Sequence, residues 1–203
     1  MEEYKLRLSQ KMYLPFKYLI DFIGSIFGII ACLIFVWWWV TIINLFVTKG
    51  HPFFVTKRTG KNGKLFRMIK FRTMYLDVDP CLPTSKELTK DHTTKFGKFL
   101  RVSSIDETLQ LFNIFIGQMS FIGPRPLLDV GEDSITIQKR KENGAIKLRP
   151  GLSGYAQIHD RIALDPLSKA DYDGQYFQRM SFWFDSAVFI YTLLKMFSVV
   201  KGR

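Results

Sequence analysis

The adjacent carboxylates Asp106 and Glu107, and downstream of them Arg125 set between Pro124 and Pro126, are the residues of this chain whose types suit phosphoryl chemistry. One carboxylate of such a pair can bind a divalent cation or attack phosphorus while the other moves a proton. Ser104 and Glu107 have capping-box spacing, and Ile105, Leu109, Phe112 and Ile116 recur at helical intervals until Gly117, so the pair is expected in a first helical turn. The helix dipole alone favours acids there, and the free N–H groups of the same turn can hold a phosphate; by itself the pair fits either role. In Gly123-Pro124-Arg125-Pro126 the two rings stiffen the backbone, and a stiffly presented guanidinium suits bidentate phosphate binding. Arg149-Pro150-Gly151-Leu152-Ser153-Gly154 again joins arginine to proline and glycine, whose backbone N–H groups serve an anion or only an ordinary turn. Arg161 follows.

Several elements must position these groups. Phe53 to Arg58 and Leu65 to Met74 read as strands of a hairpin about Asn62-Gly63, a strong tight-turn signal. Alternation puts Lys70 and Arg72 on one face and Ile69 and Phe71 on the other; the basic face either binds a ligand or is a solvated edge. Asp77 to Thr94 reads as a loop with His92 at the surface, and Lys95 to Leu100 as a short basic-apolar helix. Leu127 to Lys147 is polar and partly helical. Tyr172 to Val200 is an apolar helix, but Asp185 and Lys195 stand too close together for a span, so it packs on the domain or lies at a membrane interface.

With 203 residues, a formal net charge of +11 and a sequence pI near 9.7, the chain has length for one domain plus an appendage and selects anionic partners. Two cysteines, Cys32 and Cys81, give no disulfide framework. From Phe22 to Thr48 roughly 27 residues carry no charge, more than the ~20 that cross a hydrocarbon core. This is a membrane segment, too long for the apolar region of a secretory signal. Basic residues flank both ends (Lys5, Arg7, Lys11 and Lys17 before; Lys49, Lys57, Arg58, Lys61 and Lys64 after), so a crossing would export one cluster against the positive-inside bias. We therefore expect a re-entrant helix with Gly24 and Gly28 as its soft positions, preceded by a short surface helix within Met1 to Lys17. The expected class is α+β: a membrane-associated helical segment, residues 1–50, and a cytoplasmic domain, residues 51–203, of helices, some of them amphipathic and interfacial, with a short β-hairpin. A nucleic-acid partner is disfavoured, because the aromatics sit in apolar stretches and are not interleaved with the basic residues.

Four motifs, Lys70-Phe71-Arg72-Thr73-Met74, Ser104-Ile105-Asp106-Glu107, Met119 to Leu128 and Arg149 to Gly154, stand in this order behind one membrane segment. Together they resemble the small monotopic phosphoglycosyl transferases of bacteria. The resemblance implies transfer of a sugar-1-phosphate from a UDP-sugar to a polyprenyl phosphate such as undecaprenyl phosphate, with release of UMP, at the cytoplasmic face of the inner membrane. It implies Asp106 as a nucleophile that forms a covalent phosphosugar intermediate and holds Mg2+, and Glu107 as the group that assists proton removal from the acceptor. Arg125 is implied as a phosphate ligand, and Lys70, Arg72, Arg149 and Arg161 as substrate-binding residues. Anionic lipids are expected partners, and a homodimer is one assembly we allow for. Two departures stand out: Leu33-Ile34 occupies the place where relatives carry the Ser-Pro pair that turns the membrane helix back, and Thr108-Leu109 follows the acidic pair where relatives often have Leu-Pro. The alternative function is a non-catalytic, basic, membrane-anchored scaffold, which needs neither the carboxylates nor the stiff arginines.

Overall fold

A computed structural model describes residues 5–76, 92–159 and 165–201. The apolar run folds as a continuous helical stretch, Leu8–Val47, made of an α-helix Leu8–Cys32, a π turn Leu33–Trp37 and a second α-helix Trp38–Val47. This helix is inside out. Its buried side chains include Gln10, Lys17, Asp21 and Ser25 and, beyond the π turn, Trp37, Val40 and Asn44. Its large apolar residues, among them Leu8, Phe16, Phe27, Ile34, Trp38 and Phe46, are exposed. In its most apolar window only 11% is buried.

The π turn lies within this packed face: Cys32, Val36, Trp37 and Val40 all meet the same core across it. The expected soft positions are corrected: a Cβ at Gly24 would lie 2.9 Å from the Phe121 ring, and one at Gly28 would lie 3.1 Å from Leu111, so both glycines let the helix approach the domain. The irregularity falls instead at Leu33–Trp37. Nor is there a separate surface helix among the described residues before Lys17, because the helix begins at Leu8 and continues without a break.

The polar stripe docks on the domain along the helix. Asp185 accepts from the hydroxyls of Tyr13 and Tyr176 and pairs with Lys17. Asp21 Oδ1 accepts from the Phe121 N–H at 3.0 Å, and Asn44 Nδ2 donates to the carbonyls of Pro52 and Arg72 at 2.8 and 2.9 Å. Trp37 and Val40 of the long helix share one cluster with Phe66, Phe71, Leu109 and Ile114.

Strands β1 (Phe53–Thr59) and β2 (Leu65–Phe71) pair antiparallel, from Phe53 opposite Phe71 to Thr59 opposite Leu65. Asn62 (φ 56°) and Gly63 (φ 77°) take the left-handed conformations that the tight turn requires. Two short strands, β3 (Ser120–Ile122) and β4 (Gly151–Ser153), pair in parallel. The helix Glu132–Asn143 packs on Pro166–Arg179 through a buried ion pair, Arg140 to Asp173 at 2.6 Å. The expected C-terminal helix is two helices, Pro166–Arg179 and Phe182–Lys201, broken at Met180-Ser181.

Removal of one partner of a buried ion pair strands the other charge, at about 3–5 kcal/mol. Asp185→Ala should therefore lower the thermal unfolding temperature of the detergent-solubilised protein sharply. The double change Lys17→Met with Asp185→Leu should recover only part of that loss, because the Tyr13 and Tyr176 hydroxyls still lack this acceptor, as read by a melt followed by circular dichroism.

Candidate active site

The acidic pair sits at a junction whose geometry differs from the expected helix start. Ser104 adopts φ 56° and ψ 17°, and its side chain caps nothing. Its N–H donates to the Arg101 carbonyl at 3.3 Å, so Ser104 closes the preceding helix Lys95–Val102 as a left-handed terminator instead of opening the next. The chain then winds as a 3-10 helix, Ile105–Gln110, before one short α-helix, Leu111–Phe115. With about three residues per turn, successive side chains diverge by about 120°, so Asp106 and Glu107 face different neighbours. Both are buried, at 6% and 9% exposure.

Buried carboxylates demand cations, and several segments supply them. Arg125 Nη2 lies 3.4 Å from Glu107 Oε1. Lys70 feels both acids. Burial pushes its ammonium down to about 8, Glu107 and Asp106 oppose that shift, and Arg125 and Arg58 reinforce it. Burial likewise holds Arg58 down at about 10, reinforced by Arg125 and opposed by Asp133 and Glu107. Arg101, also lowered by burial, is drawn back up by Asp106 and Glu107. Arg58, Lys70, Arg101 and Arg125 thus surround the pair.

Each cation is held by its own element. In the hairpin register Arg58 pairs with Phe66 and Lys70 with Phe54, which places both cations on one face, together with Met68. That face turns inward. Its outer strand edge is fixed by Asn113, whose Nδ2 donates to the Arg67 carbonyl at 2.7 Å and whose Oδ1 accepts from the Ile69 N–H at 3.4 Å. Arg101 Nε donates to the Thr73 hydroxyl at 2.9 Å. The Arg125 backbone is clamped from behind: its carbonyl accepts from Arg140 Nη1 at 2.8 Å, while Arg140 is itself paired with Asp173. On the other side the Leu127 carbonyl accepts from the Thr59 N–H at 2.9 Å, which stitches the arginine loop to the hairpin.

The two proline-arginine loops pack against each other. The Gly151 N–H donates to the Pro124 carbonyl at 2.9 Å, and a Cβ on Gly151 would come within 2.1 Å of the Gly123 nitrogen. These glycines allow two backbones to touch, and the Gly151 N–H is already committed to protein. Residues 12–199 match a family model described as bacterial sugar transferase.

The chain belongs to the bacterial sugar transferase family.

Its relatives include EpsL of Bacillus subtilis, named as an uncharacterized sugar transferase and 33% identical over 89% of this chain and 86% of that protein. The galactosyl transferase CpsE of Streptococcus agalactiae is 31% identical over 94% of this chain and 44% of its own length. The UDP-glucose:undecaprenyl-phosphate glucose-1-phosphate transferase of Xanthomonas campestris is 33% identical over 73% of this chain and 32% of its own length. The chain therefore spans less than half the length of the last two.

The expected ligands divide. Lys70 and Arg125 meet the acidic pair. Arg72 does not: its Nε donates to the His51 carbonyl at 3.1 Å and its guanidinium lies 5.6 Å from the Phe54 ring centre. Arg149 stacks on Tyr18 of the long helix, 3.6 Å from the ring centre, and Lys61 lies over the same ring at 5.6 Å. Arg161 lies outside the described residues. The residues that sequence reasoning passed over are Arg58, Arg101, Asn113 and the Arg140–Asp173 pair. Of these, Arg58 alone left a signal, since the register set by Asn62-Gly63 fixes which β1 residues share a face with Lys70.

Among the described residues no group of three or more His, Cys, Asp or Glu side chains forms a ready metal cage. Mg2+ is commonly held by one or two carboxylates together with substrate phosphates, and the Asp106-Glu107 donor set fits that mode. The Lys70 amine should be protonated below and neutral above a midpoint near pH 8. Acylation of Lys70 against pH, read by mass spectrometry, should show that midpoint, and Glu107→Gln should move it down, since the carboxylate holds the proton on.

Proposed function

We propose that the chain transfers a sugar-1-phosphate from a UDP-sugar to a polyprenyl phosphate such as undecaprenyl phosphate and releases UMP. The observation that carries this reading is the buried Asp106-Glu107 pair encircled by Arg58, Lys70, Arg101 and Arg125. Four cations outnumber the two carboxylates and Asp133, which acts on Arg58, so the site is net positive and suits a diphosphate. A scaffold has no use for a buried acidic pair, because charges meant for recruitment belong at the surface. The printed name of the Xanthomonas relative adds support for the donor and acceptor class.

In this reading Asp106 attacks the phosphorus that bears the sugar. The bond between that phosphorus and the bridging oxygen breaks, and UMP departs with the electron pair. The phosphosugar remains on the Asp106 carboxylate. Glu107 then takes the proton from the acceptor phosphate, whose oxygen attacks the same phosphorus and returns Asp106 to a free carboxylate. Arg125, Lys70 and Arg58 hold the phosphoryl oxygens, and the packed loops keep those groups fixed so that little reorganisation is needed. Asp106, with Glu107 beside it, would hold Mg2+ together with the donor's phosphate oxygens, and the ion's contribution is to neutralise their charge.

The long helix supports a monotopic, re-entrant seating at the cytoplasmic face of the inner membrane. Its polar stripe is consumed by the domain from Gln10 to Asn44, its apolar face is open, and cationic residues mark both of its ends. The helix Phe182–Lys201, with Trp183, Phe189, Ile190, Tyr191 and Leu194 exposed, supplies a second apolar face for the same interface.

Membranes that carry Asp106→Asn should release less than about one-hundredth of the wild-type UMP in the presence of UDP-sugars and polyprenyl phosphate, as expected for loss of a nucleophile. Chelation of divalent cations should depress the wild type comparably and reversibly. Turnover by the asparagine variant would remove Asp106 from its role.

A further inference from the structure

A cavity outside the acidic cluster opens where the start of the long helix meets the break between the last two helices. Gln10, 4% exposed, ties these segments together: its Nε2 donates to the carbonyls of Phe177 and Gln178 at 2.6 and 3.2 Å, and its Oε1 accepts from the Arg7 N–H at 2.9 Å. Those two carbonyls belong to the last turn of Pro166–Arg179, where the negative end of a helix repels anions, and the amide covers them. Around this tie lies an open cavity of about 470 Å3 lined by Arg7, Ser9, Gln10, Gln178, Arg179, Met180 and Ser181. Its volume is that of a small-molecule site. No acidic residue is among its lining residues, which include two arginines from opposite ends of the sequence.

The rim is apolar. Leu8, Met12, Phe16, Phe182 and Trp183 are exposed, and the rings of Phe16 and Phe182 stand 6.1 Å apart. A soluble phosphate gains nothing from such a rim, whereas a phosphodiester that carries acyl chains uses both parts. We propose that this cavity binds the phosphodiester headgroup of an anionic membrane phospholipid, with Arg7 and Arg179 on the phosphate and the acyl chains along the exposed residues of the two helices. The proposal rests on the membrane seating given above. A lipid so held would clamp the start of the long helix to the helix Phe182–Lys201.

The test uses the full chain and vesicles of phosphatidylcholine with or without phosphatidylglycerol. Wild type should prefer the anionic vesicles. R7Q/R179Q should lose about tenfold more of that preference than the charge-matched pair K11Q/K141Q, and R7K/R179K, which keeps charge but not the planar fork, should lose about threefold. Millimolar inorganic phosphate should leave the preference intact. UMP release and circular dichroism should be unchanged in every variant. Equal losses in the two glutamine pairs, or an unaltered preference in the lysine pair, would mean a diffuse surface potential and overturn the site. Abolition by inorganic phosphate would assign the cavity to a soluble anion and overturn the lipid. Failure of wild type to bind neutral vesicles would overturn the membrane seating itself, a separate result that leaves UMP release as the measure of the catalytic reading.

Discussion

Two adjacent carboxylates withdrawn from water cannot persist without positive charge beside them, and most of this fold can be read as the supply of that charge. Asp106 and Glu107 occupy consecutive positions of a 3-10 turn, and their cations arrive from the hairpin, the helix Lys95–Val102 and the loop of Arg125. Each cation pays a desolvation cost of its own, visible in the downward shifts of Lys70 and Arg58. Neither sign is stable there without the other. Because the cations outnumber the acids, the arrangement favours an anion beside the pair.

The supporting parts follow from the need to hold long basic side chains still. Arg125 is short of freedom because its carbonyl is gripped by Arg140, which is held in turn by Asp173, and because the adjoining Leu127 carbonyl joins the hairpin. Arg101 is pinned by Thr73, the fourth residue of the Lys70-Phe71-Arg72-Thr73-Met74 motif. The glycines of both proline-arginine loops serve close backbone contact between them. A lever of this kind, where a buried ion pair acts through a backbone carbonyl, fixes a guanidinium without spending any of its own donors.

The long helix solves a different problem with the same economy of polar groups. A stretch that reads as uniformly apolar carries Gln10, Lys17, Asp21, Ser25 and Asn44 on a single stripe, and the domain supplies a partner for most of them. What is left outside is hydrocarbon. The Leu33–Trp37 π turn interrupts the α-helix within this stretch without breaking its contact with the domain.

The hairpin, the Lys95–Val102 helix and the acidic pair's companion Arg125 were legible in the sequence, because Asn62-Gly63, basic-apolar spacing and Pro-Arg-Pro are local signals with local causes. The role of Ser104 was not. A capping-box spacing says nothing about the left-handed conformation forced by the end of the preceding helix. Arg101 and Asn113 were invisible for a related reason: their contacts join elements far apart in the chain, and single residues of common type leave no pattern. Arg72 and Arg149 matched motifs yet stack on Phe54 and Tyr18, since a motif records which residues recur, not which ring each side chain meets.

The mechanism requires that Asp106 itself carry the phosphosugar. The protein should be mixed with a UDP-sugar alone, with no acceptor lipid, then quenched and its mass and acid-stable peptides measured. The account predicts a burst of UMP of about one equivalent per active chain, with the matching phosphosugar mass on the peptide that holds Asp106. UMP that appears only after polyprenyl phosphate is added, with no mass gained by the protein, would contradict it.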